Sequence, residues 1–135
     1  MVKRRGEHYK ALEILSEHPE YIGIRKRDVF TASIEQRLFY RGQFYAEVDL
    51  VFELKGNRAI IVEYKSNGEK RLKEKGKSQL AKAVHFYEKI KKVPAEGRLI
   101  TGDSYPQLRS GISNKKEKQN NYVNNFQLRK QKFTS

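Results

Sequence analysis

Apolar residues recur at helical spacing near the start of the chain. Tyr9, Leu12 and Leu15, with Ala11 beside them, predict a first helix over 6–17, and His18-Pro19 stops it. From about Val29 the pattern becomes strand-like. The run 37–40, the turn Arg41-Gly42-Gln43 and the run 44–54 read as a hairpin. A second turn, Lys55-Gly56-Asn57-Arg58, leads into Ala59-Ile60-Ile61-Val62-Glu63-Tyr64-Lys65, so three consecutive antiparallel strands are expected. Ser66-Asn67-Gly68 breaks the pattern, and 69–77, nearly all charged with one glycine, reads as a solvated, mobile connector. A second helix is predicted over 78–92, with its apolar stripe at Leu80, Ala83, Val84, Tyr87 and Ile90 and Pro94 just past its end. Residues 97–101 form a short fourth strand. The resulting order is αβββαβ, an α/β chain with no internal repeat.

After Pro106 apolar density falls. The expected division is a single domain over 1–110 and a basic, Asn- and Lys-rich tail over 111–135. That tail keeps only Tyr122, Val123, Phe126, Leu128 and Phe133 to bury, and reads either as a docked helix or as a disordered arm.

Charge narrows the partner class. Lys and Arg outnumber Asp and Glu by 29 to 16, a formal charge of +13, which points to a polyanion whose counterions are released on binding. A ribosomal or RNA-binding protein would share this excess, so charge alone names no chemistry. The absence of cysteine excludes disulfides and thiolate metal sites, a zinc finger among them. No apolar run approaches a membrane span, and the basic start is not followed by a signal-type apolar core, so intracellular residence (cytoplasm or nucleoid) is expected, with no membrane partner. The Lys-rich, cysteine-free composition with a single Met leans towards a thermophilic source or its virus.

The chemistry is concentrated in the second and third strands. Alternation places Phe44, Ala46, Val48, Leu50 and Phe52 on one side of the second strand and Glu47, Asp49 and Glu53 on the other. In the third strand Ile60, Val62 and Tyr64 lie opposite to Glu63 and Lys65, so each strand is expected to have a greasy face and an acidic one. A turn near Gly56-Asn57 brings Asp49 level with Glu63. For the two to share a face, the connecting loop must hold an odd number of residues or the ladder must contain a bulge. Clustered carboxylates in a strongly basic protein ask for a cation. Asp49 and Glu63 suit a hard divalent ion, and Lys65, two residues on, is placed to orient an attacking water or to stabilise charge growing on a phosphate. The competing reading is a solvated sheet face on which Lys65 pairs with Glu47 or Asp49.

At these residues the sequence resembles the PD-(D/E)xK nuclease superfamily. Asp49, thirteen intervening residues and then Glu63-Tyr64-Lys65 match its pattern, and the resemblance spans roughly 6–101. Val48 stands where a proline often precedes the Asp. The resemblance implies a restriction-endonuclease-like core, a mixed central sheet flanked by helices. It also implies Mg²⁺ or Mn²⁺ as cofactor and hydrolysis of DNA phosphodiester bonds. Members often carry a further Glu on the first helix that completes the metal site; Glu7 is the preferred candidate and Glu13 the second. RecB-type relatives place a glutamine on the later helix facing the metal, which points to Gln79, although Ala83 stands where their motif usually has Tyr. His8, His18 and His85 show no paired ligand spacing and read as surface or packing residues, and no Gly-rich phosphate loop is present, so no nucleotide cofactor is expected.

The reading that results is a structure-selective deoxyribonuclease of the Holliday-junction-resolvase size class. Its expected substrate is branched DNA or DNA with single-stranded regions, with room for a homodimer. A RecB-like exonuclease module and a non-catalytic nucleic-acid-binding protein remain as alternatives. The expected nucleic-acid contacts are Arg25, Lys26 and Arg27, then Lys70, Arg71, Lys73, Lys75 and Lys77, with a third basic segment at 115–132.

Overall fold

The computed structural model describes residues 6–108. The expected C-terminal tail and its basic segment lie outside the described residues. Six main elements follow one another: α1 (Glu7–Glu17), β1 (Val29–Tyr40), β2 (Gln43–Leu54), β3 (Arg58–Lys65), α2 (Lys70–His85) and β4 (Ala95–Thr101). Short 3₁₀ turns at Pro19–Ile22 and Lys26–Asp28 join α1 to β1, and a π turn, Phe86–Ile90, extends α2.

The strands form one sheet in the order β1-β2-β3-β4. The first three pair antiparallel through tight turns, whereas β4 lies parallel to β3, which requires the crossover that α2 supplies. Both hairpins rest on residues that accept a left-handed backbone. Arg41 (φ 53°) and Gly42 (φ 77°) make the two-residue β1–β2 turn, and Gly56 (φ 91°) and Asn57 (φ 59°) lie in the three-residue loop between Leu54 and its partner Arg58.

Each face of the sheet carries one helix. On the first, Ala11, Leu12 and Leu15 of α1 pack on Leu50, Phe52, Ile60, Val62, Tyr64 and Ile100. On the second, Leu80 and Ala83 of α2, with Phe86 and Tyr87, pack on Val48, Val51, Ala59 and Ile61. The outcome is an α/β fold with a four-stranded mixed sheet flanked by helices. Among the described residues, no helix is long and apolar enough to cross a membrane.

Three expectations are corrected. Residues 70–77 are helical and not a mobile connector, because the charged segment is built of helix-forming Lys, Arg, Leu and Glu and presents half-buried Leu72, buried Gly76 and buried Leu80 in line along one face. Gly76 disguises that stripe. It is glycine because α2 runs so close to the sheet that a Cβ there would lie 2.6 Å from Leu99 Cδ1 and 3.3 Å from Lys65 Cε.

The predicted helix over 78–92 also ends differently. The α-helix stops at His85, and the Lys91 N–H donates to the Phe86 carbonyl at 3.0 Å, a π-type bond that slips the register and lets adjacent Phe86 and Tyr87 both enter the core.

Finally, β3 has no acidic solvent face. Every residue from Ala59 to Tyr64 is buried, the signature of a central strand covered on both sides, because α2 returns over the face that carries Ala59, Ile61 and Glu63.

Candidate active site

The β2–β3 ladder runs from Leu54↔Arg58 to Leu50↔Val62 in constant register, and the three-residue loop sets Asp49 opposite Glu63 in that register. At this point side chains replace the ladder. The Tyr64 N–H donates to Asp49 Oδ2 at 2.8 Å, and the Asp49 N–H donates to Glu63 Oε1 at 3.3 Å. Beyond it β3 continues, paired with β4 as far as Lys65↔Thr101. The two strands therefore part at a pair of carboxylates.

The alternation expected along β2 is broken here. Val48 packs with the α2-side cluster but Leu50 with the α1-side cluster, and in β1 Leu38 and Ile34 divide in the same way. Glu35, which stands level with Asp49 in the β1–β2 register, has φ 53°, the left-handed kink at which the strand changes sides. Asp49 thus sits at a seam between the two faces, where it reaches both α1 and Glu63. Glu47 is not gathered with them: it is exposed and stands level with Arg37 across the β1–β2 ladder.

From the α1 side comes a residue expected, for want of paired ligand spacing, only at the surface or in packing. His8 Nε2 lies 3.2 Å from Asp49 Oδ1, and its ring is tilted against Tyr64 with centroids 5.7 Å apart. The signal for it is present in the sequence. His8 stands one helical turn before Leu12 and two before Leu15, so it continues the buried stripe of α1 towards the sheet. Glu7, by contrast, is exposed and forms no hydrogen bond or ion pair with the site, and Glu13 is exposed farther along the helix. The residue that α1 delivers to the carboxylates is the neighbour of the one expected.

From the α2 side come Lys65 and Gln79. The Lys65 Nζ donates to Gln79 Oε1 at 3.0 Å. Lys65 forms no ion pair with Glu47 or Asp49, so the cross-strand pairing considered for it is not what holds it. Its stem is pinned instead between strand and helix by the close approach at Gly76, which leaves the ammonium half-buried at the end of β3. Ala83, one turn after Gln79, is buried in the α2-side core with Phe86 and Leu80.

Electrostatics follow from burial. Glu63 is 1% exposed. Its burial, then the charge and hydrogen bonding of Asp49, push its carboxyl from an ordinary 4.5 up to about 8. Burial also raises Asp49, but hydrogen bonds from His8 and from the Tyr64 N–H outweigh it and hold Asp49 below the usual carboxylate value. The hydrogen bond to Asp49 keeps the His8 imidazole above its ordinary value despite partial burial. At neutral pH the pair therefore carries about one negative charge, with a proton on Glu63 and His8 leaning on Asp49.

Among the described residues, no group of three or more His, Cys, Asp or Glu side chains is gathered into a ready ion site. Two carboxylates stand side by side here, and of these the His8 imidazole rests on Asp49 alone. A hard divalent ion needs only one or two protein carboxylates when water and a phosphate complete its shell, so this donor set fits Mg²⁺ or Mn²⁺.

The expected nucleic-acid contacts divide between two places. Lys70, Arg71, Lys73, Lys75 and Lys77 are all exposed on α2, whose second turn lies against Lys65. The first turn of that helix contains no acidic residue, so its cations oppose the helix dipole and favour an anion nearby. Arg25, Lys26 and Arg27 lie elsewhere. The Lys55 N–H donates to the Asp28 carbonyl at 2.9 Å, which fixes this basic triplet beside the β2–β3 turn, and Arg25 is engaged by Asp28 at 3.0 Å. Five residues of β2 separate that turn from Asp49, about 16 Å of strand. The triplet is thus not part of the surface around the carboxylates.

No protein-family model matches the chain, and no curated protein matches it either.

Proposed function

We propose that this protein is a metal-dependent deoxyribonuclease with a restriction-endonuclease-like core, hydrolysing phosphodiester bonds at Asp49, Glu63 and Lys65. One observation carries the reading. Two carboxylates are forced together at the parting of β2 and β3, one of them fully buried, in a chain whose formal charge is +13. Burying like charges side by side destabilises the fold unless a proton or a cation joins them, so natural selection retains the arrangement where the cation does chemistry.

Asp49 and Glu63 would hold Mg²⁺ or Mn²⁺, with His8 Nε2 as a third donor once it turns from Asp49 to the ion. The chemistry such an ion supplies when bound is polarisation of a phosphate oxygen and acidification of a bound water. The remaining work falls to the chain. The Lys65 ammonium, held by Gln79, would orient the attacking water and stabilise charge developing on the phosphate. The exposed cations of α2 receive the flanking phosphates, and the positive field of the whole protein draws the polyanion in.

Within this activity, a branched or partly single-stranded substrate and Holliday-junction-resolvase-like cleavage are the favoured reading. A RecB-like exonuclease is favoured by the Lys65–Gln79 contact, and the buried Ala83 weighs against it. The deciding assay incubates the full chain with Mg²⁺ or Mn²⁺ on branched, flapped, single-stranded and linear DNA. Cleavage by wild type and its loss in Glu63→Ala and Lys65→Ala are expected. If all three are equally inert while binding DNA, the protein is a non-catalytic DNA-binding module.

A further inference from the structure

The β1–β2 hairpin continues past the point where β3 ceases to pair with it, so residues 36–46 form an arm beyond the carboxylates. One side of this arm is anchored. Leu38, Tyr45 and Ala46 pack with the α2-side core, Tyr45 lies against Phe86 at 5.1 Å between ring centroids, and Lys82 sits over the Tyr45 ring. The other side is bare. Phe39 and Phe44, a cross-strand pair in edge-to-face contact at 6.1 Å, are 52% and 53% exposed, and Tyr40 at the turn is 40% exposed.

Arginine accompanies each ring. The Arg37 guanidinium lies 5.8 Å from the Phe39 centroid and 5.0 Å from that of Phe44, and Arg41 lies 5.1 Å from that of Tyr40. Neither arginine forms an ion pair among the described residues. Glu47 stands level with Arg37 at the base of the arm, and from Leu38 to its partner Ala46 the only formal charge is that of Arg41.

We propose that this arm is a stacking platform for unpaired DNA bases, placed a few nucleotides from the point of cleavage. Clustered exposed rings on a braced hairpin need an apolar, planar occupant to offset their hydration. Rings and arginines also mark protein interfaces, but in a chain of formal charge +13 the favoured occupant is a polyanion. Ring faces with two guanidiniums are the pair of groups that stacks bases and meets the phosphates between them. Phe44 is five residues from Asp49 along β2, on the order of 16 Å, so bases held at the arm leave the adjoining strand free to reach the carboxylates. A duplex presents no base faces and gains nothing from the arm. The arm therefore selects DNA with an unpaired strand. This inference rests on the nucleic-acid part of the proposed function and not on catalysis.

The test uses the full chain in EDTA, so that no cleavage occurs, with a forked DNA carrying 2-aminopurine in its unpaired strand and a duplex of matching sequence. Wild type should change the 2-aminopurine fluorescence and bind the fork more tightly than the duplex. Phe39→Ala/Phe44→Ala should abolish the fluorescence change and weaken fork binding roughly tenfold, with duplex binding within about twofold of wild type. Phe39→Leu/Phe44→Leu, which keeps the apolar surface but removes the rings, should behave like the alanine pair, and Phe44→Trp should retain stacking. The proposal is overturned if the alanine or leucine pair keeps the fluorescence change and the fork preference. It is equally overturned if fork and duplex affinity fall together, or if sedimentation shows a shift in oligomeric state with the fluorescence change intact. Absence of cleavage in Mg²⁺ with the fluorescence change intact would remove the nuclease reading and leave the arm's role standing.

Discussion

Asp49 and Glu63 face each other across β2 and β3, and each carboxylate takes up a backbone N–H from the opposite strand, that of Tyr64 at 2.8 Å and that of Asp49 at 3.3 Å. The strands can part at this point without orphaning backbone donors, because the carboxylates replace the missing ladder bonds. Charge and architecture are therefore coupled: the groups that hold the gap open are those that would bind an ion in it.

Glu63 makes the ion-free protein pH-sensitive. Its folded-state value of about 8 lies above the ordinary 4.5, so between these limits the folded state binds more protons than the unfolded one, and stability falls as pH rises. His8, whose hydrogen bond to Asp49 also raises it, acts in the same direction. Melting temperatures in EDTA should decline from about pH 5 to about pH 8, and Glu63→Gln should flatten most of that decline. Mn²⁺ binding should release protons, measurable by calorimetry in buffers of different ionisation enthalpy.

Lys65 and Gln79 should separate chemistry from folding. Both are only half-buried, so Lys65→Ala and Gln79→Ala should shift stability by less than about 1 kcal/mol. Lys65→Ala is expected to lower kcat on the order of a hundredfold or more with KM little changed. Gln79→Ala, which frees the ammonium without removing it, should have a smaller effect. Single-turnover cleavage in Mg²⁺ measures both.

His8 and Glu7 offer a direct contrast on one helical turn. His8→Ala should weaken Mn²⁺ binding roughly tenfold, whereas Glu7→Ala should leave it within about twofold. Titration of free Mn²⁺ by electron paramagnetic resonance would measure both. Equal effects would return the first-helix ligand to Glu7.

Gly76→Ala tests the close approach that seats Lys65. In an open helix the change would stabilise by about 1 kcal/mol. Here the new methyl group meets Leu99 Cδ1 at 2.6 Å, and net destabilisation of about 1–3 kcal/mol in urea unfolding is expected.

The two basic clusters should differ in use. Lys73→Gln and Lys77→Gln on α2 should each reduce the slope of log affinity against log salt by about one unit. Lys26→Gln and Arg27→Gln, beside the β2–β3 turn, should change it by less than half as much.

What the sequence determined by itself was local and periodic. Alternation and two short turns defined β1, β2 and β3, and the odd-numbered loop around Gly56 set Asp49 level with Glu63 because register in a hairpin follows from loop length. Lys65 came with them, two residues along the same strand. The tertiary structure decided what depends on approach from a distance. It covered the second face of β3 with α2 and so buried Glu63, set Gly76 of that helix against Leu99, and turned His8 in place of Glu7 towards Asp49. It also carried Arg25, Lys26 and Arg27 to the far end of the sheet. Chain periodicity shows which residues share a face, but the element that covers that face is chosen by packing between segments far apart in sequence.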